Sequence, residues 1–182
     1  MIFMDKIQLE KQLFLPLTKL KMVKLAELCK REQSVVPVLL EISSFHKEPK
    51  IAFRAAWVLE YILFSSFPSA DDQLLFFNYY PLQKHNSCRR HYTKLLLLLI
   101  RKGHPPTGSS LSAIINQTSE WLIERKIPVA VKANCIEILY YLRNEEDWIE
   151  GELKLQIELL MKSGSAALQS RGKKYLILLN QE

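Results

Sequence analysis

Ala52-Phe-Arg-Ala-Ala-Trp-Val-Leu-Glu-Tyr-Ile62 reads as an amphipathic helix with one basic residue, Arg54, at its third place. Alanines follow the arginine, and Val58, Leu59 and Ile62 then recur at steps of three and four, the helical period. Three further segments stack on it: Cys88-Arg-Arg-His-Tyr-Thr-Lys-Leu-Leu-Leu-Leu98, Ala130-Val-Lys-Ala-Asn-Cys-Ile-Glu-Ile-Leu-Tyr140 and Gln169-Ser-Arg-Gly-Lys-Lys-Tyr-Leu-Ile-Leu-Leu179. Their third places hold Arg90, Lys132 and Arg171, so the four basic residues are 36, 42 and 39 positions apart. That interval leaves room for one more helix and two loops, which makes the unit a helix pair of about 40 residues. One short pair cannot bury its own apolar faces, but stacked neighbours make a continuous core.

The pattern resembles HEAT and armadillo repeats, α-solenoids in which the second helix of a pair often opens with proline, then Val-Arg, then small residues. Pro49-Lys-Ile-Ala-Phe-Arg-Ala-Ala56 matches best and Pro128-Val-Ala-Val-Lys-Ala-Asn134 next, while the segments at Ser87 and Ser165 are degenerate. The resemblance covers roughly residues 34–182. It implies an all-α superhelix of about four to five stacked helix pairs. The expected organisation is one domain over 1–182, with 1–33 as N-terminal capping helices whose outer side Lys19, Lys21, Lys24, Lys30 and Arg31 make polar. It also implies that Arg54, Arg90, Lys132 and Arg171 either bridge to an acidic or carbonyl group of a neighbouring helix pair or face a ligand. Equal places predict that they line one edge of the stack.

Apolar periodicity predicts helices over Asp5–Leu15, Thr18–Arg31, Ser34–Ser44, Pro49–Ser65, Ala70–Tyr80, Ser87–Lys102, Ser109–Glu124, Pro128–Arg143, Asp147–Ser163 and Ser165–Asn180. Pro49 and Pro128 suit a first helical turn, where the missing N–H costs nothing. Ser87, and Ser109 or Ser110, are candidate N-caps. Gly103-His-Pro-Pro-Thr-Gly108 ends a helix, because proline lacks the donor and clashes with the preceding turn. Ala52, Ala55, Ala56, Ala130 and Ala133 are expected to let helices approach closely, with Trp57, Leu59, Ile62 and Leu63 filling the space between pairs.

Three widely spaced cysteines, Cys29, Cys88 and Cys135, form no disulfide framework, and a reducing, cytoplasmic setting is expected. No signal peptide or transmembrane segment is read; Leu95–Ile100 is far too short to span a bilayer. The net charge of +6 is unevenly placed. Between Gln73 and Ser119 lie Lys84, Arg89, Arg90, Lys94, Arg101 and Lys102 and no acidic residue. On a helix, positions 90, 94 and 101 fall within about 40° of one another, so Arg90, Lys94 and Arg101 form one basic stripe. Such a stripe suits phosphates or an acidic partner, and equally a solvated helix face.

Cys88 beside Arg89 and Arg90 is a candidate for a lowered thiol pKa. His85-x-x-Cys88-x-x-His91 supplies three ligand types where structural zinc takes four, so no metal or cofactor is expected. Glu145, Glu146, Asp147, Glu150 and Glu152 favour a helix N-terminus through the dipole. The basic, amphipathic 18–31 segment suits a membrane surface or a partner's groove, unless its apolar side covers the next helix. No catalytic motif is present, so the expected function is a non-enzymatic interaction or scaffold module for a protein or peptide, an acidic one among the candidates. The alternative is phosphate-backbone binding, with HEAT-like DNA glycosylases as a third reading that carries no catalytic residue over. Arg54, Lys132 and Arg171 complete the candidate binding surface, and the oligomeric state is left open.

Overall fold

The computed structural model describes residues 6–30, 35–163 and 165–181; the expected helix ends at Asp5, Arg31 and Ser34 lie outside them. Among the described residues there are α-helices and no strand: α1 (Lys6–Phe14), α2 (Lys19–Cys29), α3 (Val35–Phe45), α4 (Pro49–Ser65), α5 (Ala70–Tyr79), a 3-10 turn (Tyr80–Leu82), α6 (Asn86–Arg101), α7 (Ser109–Ile123), α8 (Val129–Tyr141), α9 (Trp148–Ser163) and α10 (Ala166–Leu179). None of them is long and apolar enough to cross a membrane.

Local chemistry explains most boundaries. Pro49 opens α4 as expected. Ser69 caps α5, accepting from the Asp72 N–H at 3.1 Å, and Asp71 and Asp72 suit the positive end of the dipole. Two expected caps are corrected. Ser87 lies inside α6, which begins at Asn86. Ser109 is the first residue of α7, with Gly108 at the cap in a positive-φ conformation (60°) that a glycine adopts without strain. The end of α6 is a Schellman closure: Gly103 at φ 82° lets the His104 N–H reach the Leu99 carbonyl at 2.9 Å and its own N–H reach that of Ile100 at 3.0 Å.

The chain forms two compact units, Met1–Leu95 and Leu96–Glu182, with the division inside α6. In the first, α3 packs on α4, α1 and α2 cover α4, and α5 lies against α3, so helices pair and stack in two layers. Ala52, Ala55 and Ala56 are wholly buried and Leu59, Ile62 and Leu63 nearly so, which is the close approach those small residues permit. Trp57 is only half-buried. Phe76, Tyr80 and Tyr92 form an aromatic core, with the Phe76 and Tyr92 rings 5.5 Å apart. The Tyr92 hydroxyl is 2.8 Å from Ser43 Oγ and 2.9 Å from Ser44 Oγ, and burial pushes the phenol up to about 12.

Tyr92→Phe therefore strands a buried serine. Ser43 keeps its bond to the Leu40 carbonyl, 3.1 Å, while Ser44 loses its hydroxyl partner. Urea unfolding should show a loss of about 1–2 kcal/mol. Adding Ser44→Ala should cost less than the sum of the two single changes, because no orphaned hydroxyl remains.

In the second unit α7 packs on α8, and α9 and α10 pack on α8 and on each other. Ala130 is exposed and Ala133 half-buried, a correction to their expected place in the close packing. Gly172 takes that role instead: a Cβ there would lie 2.9 Å from Ile157 Cγ2 and 2.8 Å from Met161 Cγ. Trp121 is completely buried.

The expectation of a polar outer side on the N-terminal helices is also corrected. Ile7, Phe14, Leu15, Leu20 and Leu28 are 53–71% exposed beside the lysines. α1 packs on α4 through Leu9 and Leu13, and α2 does so through Met22, Leu25, Ala26 and Cys29. Two short helices carry more apolar residues than one packed face accommodates.

Candidate functional site

Most of the basic candidates serve the fold of their own unit. Arg54 Nη1 donates to the Leu13 carbonyl at 2.7 Å and to that of Phe14 at 3.0 Å, closing the last turn of α1. Lys132 is buried and donates to the Leu122 carbonyl at the end of α7, 2.8 Å away; burial holds its ammonium below the ordinary lysine value. Arg171 Nη1 donates to Glu137 Oε2 at 2.5 Å, and Arg101 binds Glu137 Oε1. Lys94 Nζ donates to Glu60 Oε1 at 2.6 Å, and Arg89 Nε donates to the Gln83 carbonyl at 3.3 Å. Lys84, Arg90 and Lys102 are exposed, without a carboxylate partner among the described residues. Of the stripe Arg90–Lys94–Arg101, two members are thus neutralised.

The carboxylates that neutralise them carry a spacing that the basic residues alone do not reveal. Glu60 on α4 meets Lys94, and Glu137 on α8 meets Arg171, each 34 positions on. Glu60 also takes His91 Nδ1 at 2.5 Å. Burial works against its charge, but the bonds from His91 and Lys94 prevail and hold the carboxyl below its ordinary value. A depressed carboxyl binds fewer protons folded than unfolded. Its contribution to stability is complete above the ordinary glutamate range and is lost as pH falls through the lower folded value. Unfolding followed against pH should show a shallower acid limb for Glu60→Gln than for the parent.

Cys88 reverses its expectation: it is fully buried, and burial pushes the thiol up to about 12 despite the neighbouring arginines. The dipole-favouring acids are partly engaged elsewhere. Glu150 pairs with Lys154 at 2.6 Å, and Glu146 accepts from Ser112 at 3.2 Å and from the Trp148 indole at 2.5 Å. Among the described residues no group of three His, Cys, Asp or Glu side chains is placed to hold a metal ion.

The arrangement best built for a ligand is a groove of about 530 Å³ between α1 and α2. Leu15, Pro16, Leu17, Leu25 and Leu28 give it an apolar lining, and Lys11, Lys21 and Lys24 stand around it. No carboxylate lines it. The three lysines are exposed, and none pairs with an acid among the described residues. Lysine stems extend apolar cover while their ammonium groups stay in water. Thr18 fixes the start of α2 by accepting from the Lys21 N–H at 3.3 Å. The sequence signal for this groove was the amphipathic basic 18–31 segment, whose apolar residues here divide between the packed and the open side.

A HEAT-repeat domain model matches residues 9–177. The chain belongs to the HEAT-repeat family. In this HEAT-repeat protein the match runs from α1 into α10. No curated protein and no solved structure matches the chain. Arg54 at the α1 carbonyls and Arg171 at Glu137 of α8 reach a neighbouring helix pair, as the family resemblance implied, whereas Lys132 bonds within its own pair, to α7.

Proposed function

We propose that this HEAT-repeat protein is a non-enzymatic docking module that takes an acidic, amphipathic segment of a partner protein in the α1/α2 groove. The observation that carries the reading is the pairing of an apolar lining with Lys11, Lys21 and Lys24, which have no carboxylate partner among the described residues. A partner helix or strand would place Leu- or Phe-like side chains against Leu15 and Leu28, each 53% exposed in the free protein. Fully burying one such side chain contributes about 1.5–3 kcal/mol. Asp and Glu on the flanks of that segment would meet the lysines, setting orientation and excluding basic partners.

Phosphate-backbone binding is the second reading. It would rest on Lys84, Arg90 and Lys102, since Lys94 and Arg101 are committed to Glu60 and Glu137. Fluorescence anisotropy separates the two. A labelled acidic amphipathic peptide should bind the full chain and weaken at least about tenfold with Lys11→Glu/Lys21→Glu/Lys24→Glu. It should be indifferent to Lys84→Glu/Arg90→Glu. Binding of a DNA duplex in place of the peptide, steeply salt-dependent and sensitive to Lys84→Glu/Arg90→Glu, would transfer the assignment to the second reading. Binding only to anionic vesicles would make α2 a membrane-surface helix instead.

A further inference from the structure

A second groove, of about 480 Å³, lies between α7 and α9 with Leu139 of α8 at its base. Its floor is Leu122, Leu139, Ile149 and Leu153, each 1–3% exposed. Ile123 and Trp148 stand in its walls at 55% and 42% exposure, so the apolar surface continues outward from the floor. The Trp148 indole is held by its bond to Glu146 Oε2, 2.5 Å. A rigid, half-open aromatic beside aliphatic floor residues is the kind of anchor site at which partner side chains insert.

The charge around this groove is opposite to that around the first. Glu120 of α7 and Glu152 of α9 line it, and no lysine or arginine does. Their hydrogen-bond partners are neutral amides: Gln117 Nε2 donates to Glu120 Oε2 at 2.9 Å, and Gln156 Nε2 donates to Glu152 Oε1 at 2.7 Å. Neither carboxylate has a cationic partner among the described residues. In a chain of net charge +6, these two exposed carboxylates give an apolar groove an acidic rim. Ser119 also lines the groove; its Oγ is buried and has no hydrogen-bond partner among the described residues.

We infer that the α7/α9 groove is a second docking site, for a basic amphipathic peptide segment whose apolar side chains fill the floor and whose Lys or Arg residues reach Glu120 and Glu152. Arg and Lys stems would lie across Ile123 and Trp148 with their charged ends on the carboxylates. A guanidinium also stacks favourably on an indole face. The site shares the reading of the chain as a docking module but uses a separate groove, so either site stands without the other.

The test uses the full chain and two synthetic tryptophan-free helical peptides of identical apolar pattern, one with lysine and one with glutamate on its polar flank. The lysine peptide should shift to the blue the part of the emission that Trp148→Phe removes, which separates Trp148 from Trp57 and Trp121, and bind at least about tenfold more tightly than the glutamate peptide to this groove. Glu120→Lys/Glu152→Lys should invert that preference, and Ile123→Asp should weaken both peptides. Lys11→Glu/Lys21→Glu/Lys24→Glu should leave the Trp148 response in place, which separates this site from the first groove. All substituted positions are exposed, and circular dichroism establishes that each variant remains helical. An unchanged Trp148 spectrum, or lysine-peptide binding indifferent to Glu120→Lys/Glu152→Lys, would overturn the proposal. So would sedimentation showing that the free chain self-associates and that Glu120→Lys/Glu152→Lys abolishes it, since a second copy would then be the occupant.

Discussion

Replacing Arg101 and Arg171 together by alanine is expected to lower the unfolding free energy by about 3–5 kcal/mol. The Glu137 side chain is 3% exposed, and the two arginines, at 52% and 34%, supply its cations from water-facing positions. Removing both leaves a buried carboxylate with no countercharge, and desolvation of that charge then dominates. The Tyr175 phenol, already pushed above its ordinary value by burial and then by Glu137's charge, cannot neutralise it. Glu137→Gln in the same background should restore much of the loss, because the amide keeps hydrogen-bonding capacity without the charge. Glu137→Gln alone should cost far less than the double arginine change, as the freed guanidiniums turn into solvent. Denaturant unfolding of these variants, read as a cycle, separates the orphaned charge from the lost arginine packing. If the double arginine variant is as stable as the parent, the cluster is not what ties α10 to α8.

Gly172→Leu is expected to cost about 3 kcal/mol or more and to disturb the packing of α10 on α9. Even a single added carbon would sit under 3.0 Å from Ile157 and Met161, and Ile157 is completely buried. Gly172→Ala is the informative control. Alanine gains about 1 kcal/mol of helix propensity over glycine, and the thioether of Met161 is the more yielding neighbour. The net effect of alanine should therefore be small, and Gly172→Ala/Met161→Ala should tolerate the methyl better than Gly172→Ala in the parent. Thermal unfolding of the set gives the comparison. A leucine variant that melts with the parent would mean that α9 and α10 do not approach this closely.

The repeat was legible because helix pairing writes itself into short-range pattern: apolar steps of three and four, and Arg54, Lys132 and Arg171 opening the second helices. The carboxylate partners were not, since Glu60 and Glu137 look like ordinary polar positions until a residue 34 places further on faces them. Cys88 misled for the opposite reason. Arg89 and Arg90 are its neighbours in sequence, but helix geometry sends adjacent side chains in different directions, and the thiol alone turns inward. The stripe of Arg90, Lys94 and Arg101 obeys the helical wheel, yet a wheel cannot see that Lys94 and Arg101 meet acids from α4 and α8. Both grooves depend on which apolar residues a neighbouring helix leaves uncovered. The 18–31 segment announced an amphipathic helix; that Leu28 would stay open while Leu25 is covered was decided by α4. Ala130 and Ala133 of α8 fit the small-residue pattern, but the close approach is made at Gly172 of α10, against α9.

Methyl-resolved NMR of the full chain titrated with an acidic amphipathic peptide tests the docking assignment most directly. The account predicts that the largest shifts fall on Leu15, Leu25 and Leu28, saturate together, and vanish with Lys11→Glu/Lys21→Glu/Lys24→Glu. Shifts absent from those methyls and centred instead on α6, near Arg90 and Lys102, would contradict it.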